Sequence, residues 1–235
     1  MKKLKMYCVT DKVVNFLDKT NYNIGWVGLG NPPANYITCN HQDNIFFKEE
    51  FYSELTFHYW YWKNKLILND SNWIGFCQKR RFWMKKEFLN KNLDNSNYLD
   101  HFLDEAPEEW NDYESIICNP INVNKVKKIK MLKRGFKSLA RDPLIFFDEK
   151  KQSLKFHFDM HHGYGNLTKA ANLLEKEDRE EFIHYINNSI NYNPHIMFIA
   201  KPNIANQWFN ALFPWLFRCE KIFGFKNLKG YDTQR

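Results

Sequence analysis

The sequence predicts an α/β layer fold, and three observations carry that expectation. Short apolar runs bounded by polar residues, at 5–10, 73–77, 115–118 and 195–200, read as buried strands. Stretches with apolar residues at helical spacing lie between them. No repeat and no low-complexity linker interrupts the alternation, so a single domain over residues 1–235 is expected.

Composition narrows the class further. A chain of 235 residues, 44% hydrophobic and 26% charged, can bury a core without disulfide or metal staples. Cys8, Cys39, Cys77, Cys118 and Cys219 are scattered with no C-x-x-C pair, which reads as reduced, buried thiols in a cytosolic protein. The run after Met1-Lys2-Lys3-Leu4-Lys5 closes at Asp11, too soon for the core of a signal peptide. Lys201, Asn203 and Asn206 break the best candidate for the ~18 apolar residues of a spanning helix. A net charge of +7 and a pI near 9.0 favour phosphorylated or polyanionic partners, or an anionic membrane surface.

The elements follow in order. The strand at 5–10 is succeeded by residues 18–44, where Gly25, Gly28, Gly30 and Pro32-Pro33 suggest a long irregular loop with a job to do. Phe51, Leu55, Tyr59, Trp62 and Leu66 recur as one helix face, while Glu54, His58 and Tyr61 lie on another stripe. Asn69-Asp70-Ser71-Asn72 ends that helix, and a buried central strand runs from Trp73 to Cys77. Residues 84–110 are polar and helix-like in pieces. Residues 125–141 contain eight cations and no acid, with Val126, Ile129, Leu132, Phe136 and Leu139 at helical spacing, as expected of a solvated amphipathic helix. Short helices at 167–174 and 178–190 precede the strand at 195–200. Ile204, Trp208, Leu212, Trp215, Leu216 and Cys219 mark a last helix that Pro214 should kink.

Two constellations could carry chemistry. Strand 73–77 ends in Gln78-Lys79-Arg80-Arg81, followed by Phe82-Trp83. Ligands of open α/β sheets bind beyond the carboxyl ends of strands, and arginine forks hold phosphate bidentately. One arginine pairing with a local carboxylate such as Glu54, the rest solvated, is the plainer account. The second is "HFDMHH" at 157–162: His157, Asp159 and a later His195 formally match a facial iron triad. Separate hydrogen-bonded histidines explain it more simply. No phosphate loop, G-x-G-x-x-G, G-x-S-x-G, H-E-x-x-H or clear Asp-x-Asp after a strand is present, so common ATPase, dehydrogenase and hydrolase chemistries lose ground.

Asp43-Asn44-Ile45, "YSELTFHYWYWKN" at 52–64, "IGFCQKRRFW" at 74–83, His162, "HIMFIAK" at 195–201 and "ALFPWLF" at 211–217 together resemble a family of glycosyltransferases. Its members occur in bacterial capsule, exopolysaccharide and lipopolysaccharide clusters and in some viruses, and many are described only as a domain of unknown function. The resemblance runs in order along nearly the whole chain. It implies a GT-A-like nucleotide-diphospho-sugar transferase domain with a central, mostly parallel sheet flanked by helices. It also implies catalytic roles for Glu54 and His162. Donor binding would fall to Thr10, Lys12, Asp43, Asn44, Gln78, Arg80, Arg81 and His195. The expected partners are a UDP-, GDP- or dTDP-linked sugar and a glycan or lipid-linked acceptor, with no nucleic acid. Manganese or magnesium is left open as a cofactor, with no metal ligand assigned. A cytoplasmic location is implied, with peripheral contact at the inner membrane face, through the aromatic last helix, also open.

The chain departs from the resembled pattern at four positions. The family's His and Tyr before the arginines are Gln78 and Lys79, its His after Thr10 is Asp11, and the Asn of its "HNMFI" is Ile196. Relatives continue where this chain stops at Gly230-Tyr231-Asp232-Thr233-Gln234-Arg235, which predicts a truncated acceptor side. Two other classes stay in view. Residues 125–141 could serve a non-enzymatic polyanion (nucleic-acid) binder, and the departures could mark a degenerate transferase with a structural role.

Overall fold

The computed structural model describes residues 3–89 and 98–225. In chain order its elements are β1 (Leu4–Thr10), β2 (Asn23–Trp26), β3 (Ile37–Thr38), α1 (Glu49–Tyr52), α2 (Leu55–Asn64), β4 (Trp73–Gln78), β5 (Ser115–Ile117) and β6 (Ile121–Asn122). There follow α3 (Lys128–Arg134), α4 (Phe136–Arg141), α5 (Leu154–His162), α6 (Asn166–Ala171), α7 (Lys176–Asn188), β7 (Asn191–Tyr192), β8 (Phe198–Ala200) and α8 (Pro202–Phe223). They divide into two units, residues 1–118 with 195–210, and residues 119–194 with 211–235.

The first unit is built on a six-stranded sheet of order β3-β2-β1-β4-β8-β5. Strands β1 to β4 are mutually parallel, and β8 runs antiparallel to both β4 and β5. The mixed α/β fold with a mostly parallel sheet is therefore as expected. Alternation along β4 explains its burial on both faces. Trp73 and Cys77 join Met6, Cys8, Ile24, Trp26 and Ile199 on one face. Phe76 on the other meets His58 of α2 (4.3 Å between ring centroids), Phe198 (5.2 Å) and Phe209 of α8 (6.2 Å). Phe57, Trp60, Phe76 and Phe209 are fully buried, and burial of a ring such as Phe76 stabilises the fold by about 1.5–3 kcal/mol.

Residues 18–44 are not one irregular loop, since β2 and β3 lie within them. The reason is a close approach: a Cβ on Gly25 would sit 2.6 Å from the Phe57 ring, so glycine here lets α2 pack onto the sheet. The helix expected from Phe51 to Leu66 is also interrupted. Ser53 has φ +48°, which ends α1 and lets α2 start afresh at Leu55 behind Glu54. Within 84–110 the described residues form short 3₁₀ turns at 86–88, 98–101 and 108–112 rather than helices.

In the second unit α5, α6 and α7 enclose Leu154, Leu167, Ala171 and Ile186, while β6 pairs antiparallel with β7. Ser153 caps α5 by accepting the Phe156 N–H at 3.4 Å. Residues 125–141 form two helices split at Gly135, and Met131 faces their core, whereas Ile129, Leu132 and Phe136 of the expected inner stripe are exposed. The last helix runs on through Pro214. Gly230 to Arg235 lie outside the described residues.

Candidate active site

Strand order places a crevice. From β1 the chain moves outward to β2 and β3, then returns through α2 to lay β4 on the other side of β1. The β1/β4 boundary is thus a switch point, where the loops leaving the carboxyl ends diverge and open sheets take their ligands. Val9 pairs with Gln78 across this boundary, so residues 10–12 and 78–81 share one rim.

The end of β4 is a tight turn. Gln78 N–H donates to Arg81 C=O at 3.2 Å and Arg81 N–H to Gln78 C=O at 3.0 Å, which turns the chain back and leaves Arg80 exposed at its tip. Phe82 and Trp83 anchor the turn. Phe82 stacks on Phe102 at 4.5 Å, and Trp83 Nε1–H donates to Phe76 C=O at 3.0 Å. Cations followed by two aromatics are therefore an exposed turn clamped to the core.

The four cation-turn residues are not equivalent. Lys79 forms an ion pair with Asp11, joining the tips of β4 and β1. Burial pulls the Asp11 carboxyl pKa up, but the Lys79 hydrogen bond, a backbone N–H and the Lys79 and Lys12 charges outweigh it and hold it below its ordinary value. Arg81 Nη1 lies 3.5 Å from Gln78 Oε1, and its charge reaches the Cys118 thiol just beyond β5. Neither Arg80 nor Arg81 has a carboxylate partner among the described residues.

Other expected residues reach the same edge. Because Phe198 of β8 lies opposite Phe76, the segment leading into β8, with His195, arrives beside the end of β4. Helix α2 runs opposite to β1: Phe57 meets Gly25, Tyr61 meets Tyr7 at 4.7 Å, and after the helix Asp70 pairs with Lys5 at 2.7 Å. Its leading residue, Glu54, is therefore at the carboxyl edge. Glu54 is half-buried, with no side-chain partner among the described residues. Lys12 is exposed on the rim.

The remaining candidates have their own local partners. Thr10 is buried, its hydroxyl donating to Lys12 C=O at 2.6 Å and accepting Lys12 N–H at 3.1 Å, so it shapes the rim turn. Asp43 accepts the Tyr59 hydroxyl at 3.1 Å and Asn64 Nδ2–H on its carbonyl at 2.8 Å, at the far end of α2 from Glu54. Asn44 caps the local turn through Phe46 N–H at 3.1 Å. His162 belongs to the second unit, on the last turn of α5, its ring 4.5 Å from that of Phe158. In the same helix Asp159 accepts from Lys155 (2.9 Å) and Gly165 N–H (2.9 Å), a carboxylate engaged within its own segment.

The described residues show no ready-made carboxylate cage on the rim. Its charges are mostly cationic, Asp11 is engaged by Lys79, and no group of three His, Cys, Asp or Glu suited to a metal occurs among the described residues. Two rim features escaped sequence reading. One is the Asp11–Lys79 pair, signalled only by opposite charges at two strand ends. The other is Gly28, where a Cβ would lie 2.4 Å from Asp11 C=O.

A family model described as "Domain of unknown function (DUF4422)" matches residues 5–235, so the chain belongs to that family. No curated protein matches it. Among solved structures it is similar to the apo structure of WbbM, a bifunctional glycosyltransferase, with a TM-score of 0.62 and 17% identity. That match covers 99% of this chain and 40% of the other, so the chain spans well under half of that relative and shares its fold.

Proposed function

We propose that this chain is a glycosyltransferase domain that moves a sugar from a nucleoside-diphosphate donor to a hydroxyl of a glycan or lipid-linked acceptor. One observation carries the reading: two arginines without carboxylate partners stand on the carboxyl rim of a parallel sheet at its switch point, on the side of Glu54 and His195. The fold shared with a bifunctional glycosyltransferase supports the same reading. When the bond between the sugar's anomeric carbon and the phosphate oxygen breaks, the electron pair leaves with the diphosphate. Arg80 and Arg81 would offset that charge at the crevice, a task often given to metal ions. The acceptor oxygen then forms the new bond and surrenders its proton, for which the unpartnered Glu54 carboxylate is the proposed base. Lys12 and His195 complete the donor contacts. His162 is retained as a catalytic candidate on the resemblance alone. Surface polysaccharide, capsule or lipopolysaccharide synthesis is the proposed setting, at the cytoplasmic membrane face.

Incubating the chain with UDP-, GDP- and dTDP-hexoses and following nucleoside diphosphate release by chromatography tests the proposal. Release that depends on Glu54 and on the arginine pair is expected. Tight donor binding without any turnover would point instead to a degenerate transferase.

A further inference from the structure

Helices α3 and α4 carry two stripes on opposite sides. At about 100° per residue, Met131, Gly135 and Ser138 fall on one side, and all three are buried. Ile129, Leu132 and Phe136 fall on the other and are 64%, 56% and 59% exposed. Gly135 N–H to Met131 C=O (2.7 Å) and Leu139 N–H to Gly135 C=O (3.0 Å) carry the helical path through the bend between the helices. The turn after α4 adds exposed Leu144 and Phe147. The unit's core does not need these side chains, because Met131, Phe156 and Met160 already fill the inner side.

Charge selects the partner. Lys125, Lys127, Lys128, Lys130, Lys133, Arg134, Lys137 and Arg141 are all exposed, and no acid falls among residues 125–141. Lys128 flanks the outward stripe on one side, Lys133 and Lys137 on the other. The first acid beyond, Asp142, is engaged by Lys151 at 2.8 Å. An apolar stripe edged by cations suits a helix lying in the headgroup region of an anionic bilayer, with the apolar residues among acyl chains. Nucleic acid would use the cations and stack on Phe136 and Phe147. Yet the exposed Ile129, Leu132 and Leu144 offer it neither a stacking face nor a hydrogen bond, whereas acyl chains take all five.

We infer that the outward face of α3 and α4, extended by Leu144 and Phe147, docks this protein on an anionic phospholipid membrane. The inference does not rest on sugar transfer, and it is read without any donor. The 235-residue chain is sedimented with vesicles of phosphatidylcholine alone or with about 30 mol% phosphatidylglycerol. Retention should be at least about tenfold stronger on the anionic vesicles and should weaken from about 0.1 to about 0.5 M salt. The L132S/F136S double variant, its fold checked by circular dichroism, should lose about tenfold or more. Lys125→Glu with Lys133→Glu should lose as much by the other component. No retention on anionic vesicles overturns the inference. So does retention unchanged by L132S/F136S, or a salt-sensitive complex with single-stranded RNA alone, which would assign the face to nucleic acid. Concentration-dependent dimers abolished by L132S/F136S, without vesicle retention, would assign it to a second copy of the chain and overturn it equally.

Discussion

The Asp11 carboxylate and the Lys79 ammonium pair across the tips of two neighbouring parallel strands, β1 and β4. The resembled glycosyltransferase pattern has a histidine and a tyrosine at these places. Read along the sequence, the two departures look like separate losses. In the fold they are one contact, which fixes the rim and engages the Asp11 carboxylate, and Arg80 and Arg81 have no carboxylate partner among the described residues.

The pair should contribute little to stability. Its side chains are 21% and 39% exposed, so a double-mutant cycle of Asp11→Asn and Lys79→Gln should give a coupling below about 1 kcal/mol in urea denaturation. The lowered Asp11 pKa sets the sign of its pH dependence: the contribution is present above 3.8 and disappears as pH falls through the lower folded value. The larger effect of the single variants should be on donor affinity, through the position of the turn.

Glu54 heads α2 with no partner for its carboxylate among the described residues, so the fold should not depend on its charge. Glu54→Gln should lower kcat by about a hundredfold or more while shifting unfolding free energy by less than about 0.5 kcal/mol. Steady-state kinetics beside thermal melts check both. A variant that unfolds instead would make Glu54 a structural residue.

Buried His58 gives the protein an acid-sensitive core. Burial alone pushes its pKa from 6.5 down to about 3, since its ring lies among Phe76, Phe198 and Phe209. The unfolded chain binds that proton first, so this contribution is whole above 6.5 and shrinks as pH falls towards 3. The slope is at most about 1.4 kcal/mol per pH unit. Urea titrations at stepped pH should show it, and His58→Phe should flatten it.

Gly25 and Gly30 make a matched pair of controls. Gly25→Ala pushes a methyl into the Phe57 ring and should destabilise by about 1–3 kcal/mol. Gly30→Ala meets nothing within 4 Å and should stay within about 0.5 kcal/mol in the same melts.

What the sequence disclosed follows from how local each signal is. Strands β1 and β4 were legible because every residue from Trp73 to Cys77 is apolar and buried or is a glycine, and helix α2 because its rings recur at helical spacing. Strands β2 and β3 were not, because four and two residues carry too little pattern, and their place depends on Gly25 meeting Phe57 from a distant segment. The apolar stripe of 125–141 was legible but its direction was not, since Met131 and Ile129 are equally apolar and only tertiary contacts choose between them. Of the candidate site, Arg80 and Arg81 were legible from their place at the carboxyl end of a strand, Glu54, Lys12 and His195 only through the resemblance, and the topology brings all five toward one sheet edge. Asp43 belongs to the same motif set, and in the fold it accepts the Tyr59 hydroxyl on its carboxylate and the Asn64 amide on its backbone carbonyl.

Calorimetric titration with UDP, GDP and dTDP, with and without manganese, tests the donor rim most directly. At least one nucleoside diphosphate should bind, and Arg80→Ala with Arg81→Ala should weaken it by about a hundredfold, near 3 kcal/mol for two charge-assisted contacts. No binding by any of the three, or an affinity unchanged when both arginines are removed, would contradict the assignment of this edge to a nucleotide sugar.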